Sequence, residues 1–410
     1  MLNSVYREGS TGKIVAALAD VLRDNENQVM VCYGIGHSKV DAHSSKICTN
    51  VEHVINALLS RITGIPYGGF FYSNHRVRKI IKEFNPDIVH IHCVNASIIN
   101  VYDLLNYLAR TGVKTVLTLH AEIFHTGGCS HAFDCEKWRE GCHDCKHYRD
   151  RVYSWFFDRS QTSYKLIQRA IESFAKSNLL ITAVSPWLAE RAKQSAVMRN
   201  YKVVYVPNGV NTMLFHYQGI NGLINRNGYK KVVLFVTPYF GEEENDVKGG
   251  RFLPIIAALL PDYKFVVVAT KLSQSLSHMP NNIQLWCKAN TQYELAQLYS
   301  EADVTLLLSK RETFSMVTAE SLCCGTPVIG FKAGGPESIA LEQYTKFVDY
   351  GDIDKLVDVI NSFVHKIINK HELSALASNT YSSEYCALMF TNLYKELNNE
   401  NSSNNTECME

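Results

Sequence analysis

The chain lacks any apolar run long enough to span a bilayer. Its longest, such as residues 253–260, fall far below the ~18 residues a transmembrane helix needs. No charged-then-apolar leader opens it, so no signal peptide is expected. Charge of one sign is also missing. Against 41 Lys and Arg stand 40 Asp and Glu, and the net +1 gives no basis for a nucleic-acid partner. There is no P-loop and no dinucleotide fingerprint, and no internal repeat beyond two similar α/β halves. Twelve cysteines in 410 residues do not make a small secreted disulfide scaffold. These absences predict a soluble cytoplasmic protein and leave contact with a membrane surface open.

What is present is two domains' worth of chain, with 46% hydrophobic residues to fill their cores. The most informative stretch is 309–337, SKRETFSMVTAESLCCGTPVIGFKAGGPE. A polar loop carries Glu312. A helix starting near Phe314 carries Glu320. Gly325-Thr326-Pro327 then turns into an apolar strand over 328–331, and a second glycine loop follows through Gly334, Gly335 and Glu337. In a parallel α/β unit of this kind ligands sit in loops beyond the strand carboxyl ends. Backbone N–H groups at the helix start, over Phe314, Ser315, Met316 and Val317, suit an anion. Carboxylates accept hydrogen bonds from sugar or ribose hydroxyls. Spacing alone favours solvated acids at both positions, and it is the glycine turns around Glu312 and Glu320 that point to a site.

This set closely resembles the donor-site signature of the retaining glycosyltransferases of family four, which have the GT-B fold. Glu312, Glu320, Gly325, Pro327, Val328, Gly334, Gly335 and Glu337 all stand in register. The resemblance implies an α/β architecture of two Rossmann-like domains facing a central cleft, with a C-terminal helix crossing back. On this chain that gives an acceptor-side domain over 1–212, a linker near 210–228, a nucleotide-sugar domain over 228–383, a crossover helix over 384–397 and a disordered tail over 398–410. It also implies that Glu312 faces the donor sugar, that Glu320 faces the ribose, and that the amides of Phe314, Ser315, Met316 and Val317 line the diphosphate.

Three further positions acquire roles the same way. A glycine turn after the first strand, expected over residues 1–6, carries Gly9 and Gly12. By itself it reads equally as a tight strand-to-helix turn or as a phosphate or acceptor cradle. Thr118-Leu119-His120 matches the family's Thr-x-His, with His120 beside the donor sugar, although Ala121 and Glu122 follow where the family often has Asp. Lys248-Gly249 matches the family's Lys-Gly, whose lysine neutralises the leaving diphosphate. The arginine usually found earlier is replaced by Thr237-Pro238, and Arg251 is the nearby substitute.

Residues 125–150 are Cys- and His-rich. Cys129, Cys135, Cys142 and Cys145 are spaced x5, x6 and x2, ending in Cys-x2-Cys. Such a set reads as a zinc site, as a reduced packed loop, or as a redox-labile one. The same Gly-Gly-Cys…Cys-x2-Trp…Gly-Cys-x2-Cys pattern resembles bacterial colanic acid and O-antigen glycosyltransferases. Residues 74–82 interleave Arg76, Arg78, Lys79 and Lys82 with apolar residues, reading either as a helix on anionic lipid or as a solvated face.

The expected activity is retaining transfer of a sugar from a UDP- or GDP-sugar to a hydroxyl of a lipid-linked saccharide, in lipopolysaccharide, O-antigen or exopolysaccharide assembly. The resemblance implies Glu312, His120 and Lys248 as the catalytic residues. On this expectation the transfer needs no cofactor and no metal, and the protein is cytoplasmic, with contact at the cytoplasmic face of the inner membrane left open. The alternatives are a GT-B nucleotide-sugar epimerase and a non-catalytic nucleotide-sugar-binding scaffold.

Overall fold

A computed structural model describes residues 1–37, 42–69, 72–274, 276, 279–286, 289–364 and 366–404. The chain divides into two compact units. One is Met1–Pro207 with Cys386–Glu410, and the other is Asn208–Tyr385.

In the first unit, short apolar runs bounded by turn residues become the strands β1 (Leu2–Asn3), β2 (Val31–Tyr33), β3 (Ser44–Lys46), β4 (Ile88–Ile91), β5 (Lys114–Leu119), β6 (Leu179–Ala183) and β7 (Val203–Tyr205). They form a parallel sheet in the order β3-β2-β1-β4-β5-β6-β7. The helices α1 (Gly9–Asp24), α2 (Asn50–Thr63), α3 (Tyr72–Phe84), α4 (Val101–Thr111), α5 (Ser160–Glu172) and α6 (Pro186–Gln194) connect them. Strand interiors such as Val116, Leu117 and Ile181 are fully buried, as a parallel sheet requires. Helix ends are set by local chemistry. Ser185 caps α6 by accepting from Leu188 N at 3.2 Å, with Pro186 in the first turn.

The second unit holds β8 (Lys231–Phe240), β9 (Tyr263–Leu272), β10 (Ile283–Trp286), β11 (Val304–Leu307), β12 (Val328–Phe331) and β13 (Thr345–Val348), parallel in the order β10-β9-β8-β11-β12-β13. Its helices are α7 (Phe252–Leu259), α8 (Gln292–Glu301), α9 (Met316–Cys323), α10 (Gly335–Ser338), α11 (Ile353–Phe363) and α12 (Lys370–Tyr381). The last helix, α13 (Ser383–Asn404), carries the chain back into the first unit, where Cys386, Ala387, Phe390, Leu393 and Leu397 join Leu18, Leu22, Val116 and Leu180 in one core.

Several expectations change. The first strand is Leu2–Asn3 rather than residues 1–6. Between β2 and α3, where no element was expected, lie β3 and α2, the latter capped by Thr49 and closed by Gly64 at φ 72°. Helix α12 was not anticipated. The presumed linker 210–228 belongs to the second unit. There Phe215 and Ile224 are buried, and the Glu301 carboxylate accepts from the amides of Asn221, Leu223 and Ile224. That anchoring by a distant carboxylate is what a polar composition conceals. The tail expected to be disordered from 398 is helical through Asn404, because α13 continues. Residues 405–410 lie outside the described residues.

Candidate active site

In the second unit strand order reverses between β8 and β11. In an open parallel sheet this is where the loops beyond adjacent strands diverge and leave a ligand crevice. The loop after β8 carries Lys248 and the loop after β11 carries Glu312. Their side chains meet: Lys248 Nζ lies 2.5 Å from Glu312 Oε1, and Ser309 Oγ donates to the same oxygen at 2.9 Å. Both side chains keep partial solvent access, so this charge-assisted bond stays open to exchange with a ligand.

The backbone holds these loops together. Lys310 N donates to Val247 O at 2.8 Å. Glu312 N donates to Ala333 O at 3.0 Å, and Gly335 N to Glu312 O at 2.9 Å. Glycine is required where they touch. A Cβ on Gly249, at φ 74°, would meet Leu308 O at 2.1 Å, and one on Gly335 would meet Thr313 C and O at 2.4 Å. Ser315, just before α9, sits at φ 82°, a conformation that costs a non-glycine residue of order 1–3 kcal/mol and is held by its surroundings. Its hydroxyl caps α9 by accepting from Thr318 N at 3.2 Å. The amides at Met316 and Val317 precede the intrahelical ladder, so the positive end of α9 lies in the Glu312 loop. Phe314 itself is buried.

Glu320, on α9, accepts from the buried Tyr299 hydroxyl at 3.4 Å. Glu337 turns inward and caps its own loop, accepting from Ala333 N at 3.0 Å and Gly334 N at 2.8 Å. Arg251, the substitute for the missing arginine, donates to Glu244 O at 3.1 Å.

In the first unit, strands β1, β4 and β5 are neighbours, so the residues that follow them leave the same carboxyl edge. Gly9 opens α1 at φ 62°, and a Cβ on Gly12 would meet Val5 Cγ2 at 2.9 Å. Both glycines therefore have a backbone or packing reason to be there. His120, just past β5, approaches His92, with His120 Nε2 3.2 Å from His92 Nδ1. His92 in turn stacks on His90 at 3.8 Å between ring centroids. His90 is fixed by Thr118 Oγ1 and by Tyr394 of α13, each at 2.6 Å. Burial pulls His120 down to about 4, and it also holds His90 and His92 well below the usual histidine range. All three are neutral near pH 7. Sequence reading missed this stack, although the alternation His90-Ile91-His92 places both rings on one face of an extended segment.

Glu122 proves structural. Its buried carboxylate pairs with Arg191 Nε at 2.7 Å, lies 3.6 Å from His125 and accepts from Ala132 N at 2.8 Å. Burial alone would raise its pKa, but His125, Arg191 and the Ala132 amide outweigh it and hold the group at about 2. Glu122 thus anchors the Cys-rich loop and is not aimed at a ligand. In that loop Cys129, Cys135, Cys142 and Cys145 line one cavity with Trp138. Burial, aided by the neighbouring thiols, pushes Cys129 upward and Cys142 up to about 12.

Two Rossmann-like units, with a lysine–carboxylate pair at the switch point of the second, define a GT-B glycosyltransferase. A family model described as Glycosyltransferase Family 4 matches residues 11–214, and one described as Glycosyl transferases group 1 matches 253–380. The chain belongs to glycosyltransferase family 4. It is 21% identical over 361 residues to a GDP-mannose-dependent alpha-mannosyltransferase of Mycobacterium tuberculosis, covering 87% of this chain and 85% of the relative. Among solved structures it resembles a sucrose-phosphate synthase from Thermosynechococcus elongatus, with TM-score 0.63, 15% identity, and 96% and 95% of the two chains covered. It also resembles Anabaena HepE in complex with UDP, with TM-score 0.63, 16% identity, and 96% and 99% covered. At these identities the structural likeness speaks for the fold.

Proposed function

We propose that the protein transfers a sugar, with retention, from a UDP- or GDP-sugar to a hydroxyl of a lipid-linked saccharide in bacterial surface-polysaccharide assembly. The reading is carried by the Lys248–Glu312 pair at the β8/β11 switch point, beside the N-terminus of α9. A donor diphosphate competes for the Lys248 ammonium and for the first amides of α9, at Met316 and Val317, within the run Phe314, Ser315, Met316 and Val317. Glu312 is then released toward the sugar hydroxyls, and Glu320 takes the ribose. As the glycosidic bond breaks, charge grows on the diphosphate where lysine and helix dipole already point. These groups supply the stabilisation, so the transfer step is assigned no metal. The leaving diphosphate accepts the acceptor's proton. Neutral His120, held by His92, orients the sugar, and the Gly9–Gly12 turn admits donor phosphate or acceptor.

A lipid-borne acceptor is supported by an outward-facing apolar surface in the first unit. Helix α2 turns Val51, Val54 and Leu58 to solvent, the first two 69% and 63% exposed. Trp155, Phe156 and Phe157 adjoin it, tied by Trp155 N donating to Arg61 O at 2.8 Å. Arg61 lies over Trp155 and Arg159 over Phe157, giving the aromatic and basic rim that suits an anionic lipid surface. In the helix first considered for lipid contact, Lys79 and Lys82 face solvent while the two arginines are engaged. In α3, Arg76 donates to Ile47 O at 3.0 Å and Arg78 pairs with Asp103 at 2.5 Å. No helix among the described residues is long and apolar enough to cross a membrane.

The relative named above is named for GDP-mannose, and the Anabaena neighbour was solved with UDP, so both donor classes belong in the test. Purified protein is incubated with each nucleotide-sugar and a lipid-linked saccharide extract, and nucleoside diphosphate release is measured. Acceptor-dependent release with one donor class, joined to a glycosylated lipid product, is expected. Turnover that needs no acceptor would support epimerisation and overturn the transfer reading.

A further inference from the structure

We propose that Cys129, Cys135, Cys142 and Cys145 bind one zinc ion that staples the loop after β5. The need for a staple is visible in the chain. From Thr126 to Arg159 there is no strand and no α-helix, only the single 3₁₀ turn Lys137–Arg139. So long a stretch without secondary structure is uncommon in a compact domain unless something else holds it. The four cysteines come from three separate points of this stretch and converge on one cavity. None of the four is in a disulfide.

Burial and the neighbouring thiols oppose the thiolate in the free loop, so a cation is what would hold the sulfurs charged, and two backbone amides already point at them. Gly127 N donates to Cys142 Sγ at 3.1 Å. The backbone N–H of His147 donates to Cys145 two residues before it. Such outer hydrogen bonds orient ligands and favour the thiolate. Glycine at 127 is what permits the first bond, since a Cβ there would meet Ser160 O at 2.6 Å and Cys142 Cβ at 3.0 Å. Four soft sulfur donors in a partly enclosed site, ending in Cys-x2-Cys, match the preference of a closed structural zinc site. Among the described residues no three His, Cys, Asp or Glu side chains already form a metal-binding group. Binding therefore draws the sulfurs inward, and its free energy goes into ordering the loop. Because Glu122 ties that loop to the segment after His120, through Ala132 N and Glu122 N donating to Ser130 O at 3.0 Å, the staple also steadies the approach to His120.

The test uses the full chain, purified without chelator and gel-filtered. Metal is measured by mass spectrometry of the elements, and thiol state by alkylation of the native protein followed by intact-mass analysis. The expected result is one zinc per chain, protection of the four thiols until a strong chelator is added, and a lower melting temperature with faster proteolysis within 126–159 after chelation. Cys142→Ser should lower zinc occupancy. Should that variant fail to fold, the wild-type metal content and alkylation pattern decide alone. A wild-type protein that binds no zinc even after incubation with zinc chloride, with four freely alkylated thiols or with a mass deficit from disulfides, overturns the proposal.

Discussion

Lys248 Nζ stands 2.5 Å from Glu312 Oε1, although 64 residues separate them in sequence. The two belong to loops that follow adjacent strands at the point where sheet order reverses. Each neutralises the other until an anion competes for the lysine, so the pair couples diphosphate binding to presentation of the carboxylate.

Lys248→Ala should lower kcat by about a hundredfold, the ~3 kcal/mol typical of losing one preorganised donor to a developing oxyanion. It also leaves Glu312 without its cation, so donor binding should weaken. Lys248→Arg should recover part of the binding and little of the rate, because a planar guanidinium cannot replace a point charge in this loop. Steady-state kinetics on the preferred donor would read both. An alanine variant with unchanged kcat would remove Lys248 from the chemistry.

The histidine stack predicts acid sensitivity. His120 titrates at about 4 when folded and near 6.5 when unfolded. Between those values the unfolded chain holds a proton that the folded chain does not. Stability therefore rises with pH there, and falls as pH drops from about 6.5 toward 4. His120 alone accounts for about 3 kcal/mol, and His90 and His92 shift the same way. The titratable groups that face His90 and His92 are the neighbouring rings and the Met1 amino group, and each opposes a further positive charge there. Denaturant unfolding at pH 7.5 and pH 5 checks this by tryptophan fluorescence, since Trp138, Trp155 and Trp187 all lie in the first unit. His120→Asn should flatten the dependence.

Gly335→Ala tests the loop architecture without touching a charged group. The new methyl would lie 2.4 Å from Thr313 backbone, so the loops must part. We expect a loss of about 1–3 kcal/mol in the second unit, as for other overpacked sites, together with weaker nucleotide binding. Thermal unfolding and nucleotide titration measure the two effects. An alanine variant that matches wild type in both would show that the close approach is dispensable.

Much of this site was legible because its parts are short and contiguous. Glycines that mark close backbone approach, a lysine beside one of them, and acids on a loop and a helix start can all be read locally. The supporting partners were not. Glu122, standing near the place of the family's Asp, gave no sign of its structural role because its partner Arg191 lies 69 residues later. The segment after Pro207 looked like a linker because Glu301, which gathers its amides, lies on a helix some eighty residues away. His92 gave its signal only through spacing from His90, and its relation to His120 depends on strand order. Parallel α/β units showed in strand and turn chemistry, the two-domain arrangement came only through the family resemblance, and α12 was hidden by its weak apolar periodicity.

The central claim, that Glu312 contacts the donor sugar, is tested most directly by one comparison. Wild type and Glu312→Ala are assayed side by side for acceptor-dependent release of nucleoside diphosphate, with folding of the variant verified by circular dichroism. The account predicts near-complete loss of turnover in a folded variant. Wild-type turnover by Glu312→Ala would contradict it.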